Sequence, residues 1–267
     1  MKNIMWLVVI LVIGGIAAGF YYWQMETEEP PPPVATPSPP PAEPEAPRIR
    51  HPIREAPATD EPLPALEKSD DTLLGALTGF FGQKAVEEFF DVKELARRIV
   101  VTVDNLPRKK VPLRYRLFKP VAGNFLATGE GENYLTNRDN YRRYKSYVLL
   151  AEAVDPKELV AAYTRFYPLF QEEYVNLGFP KKYFNDRLVE TIDDMLAAPE
   201  IPGSIKLERP KVLYLFADPA LEELSAGQKI MIRIGPENAA RIKAVLRVVR
   251  QELTGQAPET AVPTDKN

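Results

Sequence analysis

DPKELVAAYTRFYPLFQEEYVNLGFP, residues 155–180, is the stretch whose reading decides the fold. Asp155 offers a cap oxygen and Pro156 a first-turn proline, so a long helix is predicted from this point. Gly178 stops it, and Pro180 restarts the chain for another helix reaching about Ala198. Within the first helix Tyr163, Phe166, Tyr167, Phe170, Tyr174 and Leu177 recur at i, i+3, i+4 and i+7. Aromatic side chains remove large areas from water, so this side predicts a core seam whose hydroxyls find partners. Stacking on sugars or bases is the functional alternative. Pro168, lacking an N–H, predicts a kink midway.

Helix signals dominate outward from there. Ser69 with Asp70 and Asp71 predicts a capped helix running to the Gly79–Gly82 break. Further helices follow over 84–91 and 93–104, the latter ended by Pro107. Residues 107–137 change character, with glycines and prolines around β-prone pieces such as 124–128 and room for a hairpin. A helix is predicted over 140–152, and short strands over 205–207 and 212–216. Asp218-Pro219 starts a helical turn, Ser225 and Gln228 have capping-box spacing, and Pro236 opens a last helix ending near Leu253. The expected fold class is mainly α with minor β, a single helical domain over 65–254 with one or two short hairpins and a loose tail over 255–267.

The amino-terminal side reads differently. Ile4 to Trp23 contains no charge and has about the length needed to cross a bilayer as a helix. Aromatic residues at its end and the missing A-x-A site favour a transmembrane anchor over a cleaved signal peptide. Lys2 precedes the span and Glu26, Glu28 and Glu29 follow it, so the positive-inside rule predicts residues 1–3 in the cytoplasm and the main domain periplasmic at an inner membrane. Gly15 and Gly19 form a G-x-x-x-G pair, which predicts a possible homodimer through that face. Residues 24–64 form a proline-rich spacer in which polyproline II and disorder are expected. His51 falls in this spacer, so the only histidine of the chain is expected away from the folded domain.

Composition narrows the chemistry further. With no cysteine, disulfides, thiolate metal sites and cysteine nucleophiles are excluded. The formal charge of −3 resides in the spacer, so the domain is near neutral and no nucleic-acid partner is expected. Asp186, Glu190 and Asp193, at i, i+4 and i+7, could bind a cation or act as acid and base, yet a helical wheel sets them opposite Phe184, Leu188, Ile192 and Met195. They are therefore expected to face water. Lys243, Arg247 and Arg250 make a matching basic stripe, read as solvated, with an anionic partner or cross-helix pairing as the sharper option. Ser225 and Lys229 fit a serine–lysine pair only weakly, because capping already explains the serine. Gly227 and Gly235 do not form a phosphate loop. No catalytic, cofactor-binding or metal residues are assigned, and no cofactor is expected.

Six blocks carry a family resemblance: Val103–Pro107, Tyr167–Gln171, Gly178–Pro180, Tyr183–Asp186, Ala217–Glu222, and Gly227–Lys229 with Gly235–Asn238. Together they resemble the uncharacterised proteobacterial domain of unknown function numbered three thousand and fourteen, over about residues 62–254. The resemblance implies a Gram-negative envelope protein and transfers no site residues. A membrane-tethered interaction or scaffold module follows as the expected function, with exposed aromatic surface contacting an envelope protein. A cell-wall glycan-binding or glycan-processing domain is the alternative, and the balance is against an enzyme.

Overall fold

The computed structural model describes residues 49–53, 62–131 and 133–255, all within one unit spanning Pro47–Asn267. The predicted span with Gly15 and Gly19, most of the spacer and the tail beyond 255 lie outside the described residues. Among those described, no helix is long and apolar enough to cross a membrane.

The helices are α1 (Asp70–Phe81), α2 (Gln83–Phe89), α3 (Leu95–Asn105), α4 (Asp139–Arg143), α5 (Lys145–Glu152), α6 (Pro156–Asn176), α7 (Phe184–Leu196), α8 (Pro219–Glu222), α9 (Ala226–Arg233) and α10 (Pro236–Thr254). Local cap chemistry sets several of their starts. Asp155 accepts from the Lys157 amide, Asp218 from the Ala220 amide, and Ser225 exchanges hydrogen bonds with Gln228 in a capping box. Ser69 departs from expectation. Its hydroxyl turns back to the Leu66 carbonyl, leaving α1 without a side-chain cap. Asp70 instead caps a different helix, accepting from the amides of Glu94 and Leu95 at 2.8 Å each. That pair of bonds holds Glu94 in a left-handed conformation, φ 53°, at the entrance to α3.

The aromatic side of α6 is the core seam predicted for it. Phe166, Phe170 and Tyr174 are buried with Leu73, Leu95, Val100 and Phe184 from α1, α3 and α7. Each such side chain contributes about 2 kcal/mol of hydrophobic stabilisation. The helix continues through Pro168 without interruption. A second cluster, Val189, Ile192 and Leu253, joins α7 to α10, and a third joins Met231 and Ile234 to Ala239 across the α9–α10 turn.

The β structure is more organised than one or two separate hairpins. β1 (Ala127–Thr128), β2 (Tyr134–Thr136), β3 (Lys206–Glu208) and β4 (Leu215–Phe216) form one antiparallel sheet in that order. The link between the two hairpins pairs Tyr134 with Leu207 and Leu135 with Lys206. Ile205, Leu207 and Phe216 then pack on Ile232 of α9. Thr136 closes the seam, its hydroxyl accepting from the Ile205 amide at 2.8 Å.

Candidate functional site

Between α4–α5 and the start of α10 lies an open cleft of about 410 Å³. Asn140 and Asn238 fix its walls. Asn140, almost fully buried, accepts from the Leu126 amide and donates to the Leu126 and Asn137 carbonyls, which ties α4 to the sheet. Asn238 donates to the Tyr141 and Ile234 carbonyls, 2.9 Å each, and ties α10 to α4. Gly235 lies flat on the Tyr141 ring: a Cβ there would sit 2.5 Å from it, and the glycine has φ +87°. Only glycine allows this approach.

The charges on the walls are unequal. Arg138, Arg142, Lys145 and Arg241 line the cleft against one acid, Glu237. Arg241 is bound by both oxygens of Glu152, and Arg142 pairs with Asp139. The hydrogen bond from Arg241 is the main reason the Glu152 carboxyl is held below its ordinary range, against a smaller upward push from desolvation. Arg138 and Lys145 are exposed and have no acidic partner among the described residues. Gly235 provides no side-chain cap for α10, so the positive end of a 19-residue helix dipole adds to the same field. Guanidinium, ammonium and open amides are donors, and the ligand chemistry they suit is a carboxylate or phosphate.

The sequence-predicted residues are elsewhere. Asp186 is buried, a correction to its expected exposure: α7 packs against α3, α6, α9 and α10, and its first turn receives upstream chain. Glu190 pairs with Arg187 at 2.8 Å, and Arg187 also holds buried Asp104. Asp193 meets Arg250, the cross-helix pairing foreseen as the sharper option for the basic stripe. Lys243 is buried, its ammonium donating to the Ala198 carbonyl. Ser225 and Lys229 do not form a dyad. The serine donates to Asp194 at 2.6 Å, while Lys229 turns to Glu222 at 2.9 Å. Burial pushes the Glu222 carboxyl up, but hydrogen bonds from Lys229 and the Phe216 amide outweigh it and the net shift is downward. His51 is another correction, since its main chain is hydrogen-bonded to α7. Among the described residues, no group of acids and histidine has the arrangement of a metal site.

The cleft went unread in the sequence although Arg138, Arg142 and Lys145 stand at i, i+4 and i+7. Its fourth cation comes from α10, about a hundred positions later. The family description matching residues 95–250 is Protein of unknown function (DUF3014). The chain belongs to this family. The match bears out the resemblance and takes in every lining residue of the cleft, from Arg138 to Arg241. It also includes Asn185 and Asp186, while residues 49–53 and α1 precede the matched DUF3014 range. No curated protein and no solved structure matches the chain.

Proposed function

We propose that this DUF3014 protein is a membrane-tethered binding module of the bacterial envelope. Its amino end is cytoplasmic, residues 4–23 span the inner membrane, and the helical domain stands in the periplasm on a proline-rich tether. The domain engages an envelope protein through an anionic group seated in the cationic cleft. The observation that carries this is the cleft with Arg138 and Lys145, two cations that have no acidic partner among the described residues, beside the open start of α10. This replaces the expected aromatic contact surface, because among the described residues the most exposed large apolar side chains are the aliphatic Leu113, Val212 and Leu213.

The test uses the full chain in lipid nanodiscs and the double variant Arg138→Ala with Lys145→Ala. Both side chains are exposed, so stability should change by no more than about 0.5 kcal/mol. Wild type should capture a defined envelope protein reproducibly, with affinity falling roughly tenfold in the double variant. Equal capture by both would remove the cleft from the account. Sedimentation with isolated peptidoglycan, lost in the same variant, would instead favour the glycan-binding alternative. Self-association of the span through Gly15 and Gly19 belongs to the same proposal, and replacing both by leucine should weaken it.

A further inference from the structure

Asp186 stands in the first turn of α7 and is 8% exposed, a burial that calls for partners on both carboxylate oxygens. Those partners are main-chain groups more than 130 positions upstream. The Arg50 amide donates to Oδ2 at 3.1 Å and the His51 amide to Oδ1 at 2.7 Å. Beside it, Asn185 is 1% exposed and donates from Nδ2 to the His51 carbonyl at 2.7 Å. Its Oδ1 accepts the Tyr163 hydroxyl at 3.1 Å. With the oxygen so engaged, the nitrogen is the end left for the upstream chain.

Three hydrogen bonds therefore read the main chain of two consecutive residues, and none reads a side chain. Arg50 adds a 4.0 Å ion pair to Asp186 from a side chain that is 66% exposed, which is a weak contribution. The sequence agrees with this division. Residues 26–64 contain 14 prolines, Pro47 and Pro52 among them, yet the two positions whose amides are used carry none.

We propose that Asn185 and Asp186 form a receptor for main chain held in a bend, with residues 49–53 as its built-in occupant. The contact is an intramolecular latch that sets where the proline-rich segment leaves the domain. Closed, it places that exit at residue 49. Opened, it leaves residue 62 as the first position of the chain held by the domain. That consequence rests on the tether reading; the latch does not. Because recognition is by main chain, another peptide that bends to present two consecutive amides on one side can compete for the receptor.

The experiment uses full-length protein in nanodiscs. Hydrogen exchange at the amides of Arg50 and His51 is followed together with the distance between spin labels at Ile49→Cys and Lys181→Cys, which the absence of native cysteine makes selective. Wild type should show slowed exchange and one narrow distance. His51→Pro removes an amide without touching any residue of the helical core, and exchange at Arg50 should quicken by about tenfold or more as the distance broadens. Asp186→Ala should do the same; if that variant fails to fold, His51→Pro decides. A free peptide of residues 47–53 in excess should broaden the wild-type distance. Unprotected amides in wild type, or an unchanged distance in His51→Pro, overturns the latch. Resistance of the amino-terminal segment to alkaline extraction tests the membrane reading separately, so either idea can fail alone.

Discussion

The starts of α7 and α10 are built from similar materials and end in opposite states. At α7 every polar atom named above is engaged: Asp186 by two amides, Asn185 by Tyr163 and the His51 carbonyl. At α10 the helix opens on glycine and proline, no side chain caps it, and Arg138 and Lys145 stand across the cleft without an acidic partner among the described residues. Burial explains the contrast. A carboxylate 8% exposed cannot be left unpartnered without a cost of several kcal/mol, whereas an exposed lysine or arginine is solvated and remains free for a ligand. The first helix start is therefore closed by the chain itself and the second is open to others.

The largest effect separates two glycines of the open cleft. Gly235 and Gly203 both line it with left-handed φ, +87° and +85°, but only Gly235 faces a ring at 2.5 Å, while nothing lies within 4 Å of a Cβ on Gly203. Gly235→Ala combines backbone strain with overpacking against Tyr141 and should cost about 2–4 kcal/mol in denaturant unfolding. Gly203→Ala carries strain alone and should cost about 1 kcal/mol. Equal losses would mean that the Tyr141 contact does not organise this wall. Next comes Asn185→Ala at the closed site, which leaves the half-buried Tyr163 hydroxyl without its acceptor. A loss of about 1–3 kcal/mol is expected, read from the same unfolding curves.

How much of this was legible depends on the range of the interaction. Asp155, Asp218 and the Ser225–Gln228 box cap helices through neighbours two or three positions away, and the pattern of residue types shows them directly. Asp70 caps α3 from 24 positions off, and the same carboxylate looks in sequence like a first-turn acid of its own helix. The α6 seam was readable because one side of that helix holds nearly all its aromatic residues. The helical wheel held for Glu190 and Asp193, which are exposed, and failed at Asp186, because it allows one buried face and the start of α7 also receives the chain at residues 50 and 51. For the cleft, each cation alone reads as an ordinary surface charge. Its concavity comes from Gly235 and Asn238 meeting Tyr141, a tertiary event with no local period.

A smaller effect concerns the balance of charge in the open cleft. Glu152 neutralises Arg241, so Glu152→Gln should raise affinity for sulfate about two- to fivefold at neutral pH. The sign with pH follows from the lowered carboxyl. The ion pair is complete above the ordinary carboxylate value of 4.5 and is lost as pH falls through the depressed one. Sulfate affinity of wild type should therefore converge on that of Glu152→Gln under acid. Parallel curves would show that Arg241 does not reach the anion.

The smallest effect is expected where the latch has a charge to lose. Arg50→Ala removes the 4.0 Å ion pair but keeps the amide that Asp186 accepts. A pair this long and this exposed is worth at most about 0.5 kcal/mol, so exchange at residues 50 and 51 should slow or quicken by no more than about twofold. His51→Pro changes no charged side chain and should open the contact. If Arg50→Ala were the more damaging of the two, the closed site would be holding a guanidinium rather than a peptide chain, and both helix starts would be sites of charge recognition. The hydrogen-bond geometry points the other way, since each oxygen of Asp186 is aimed at a separate main-chain amide.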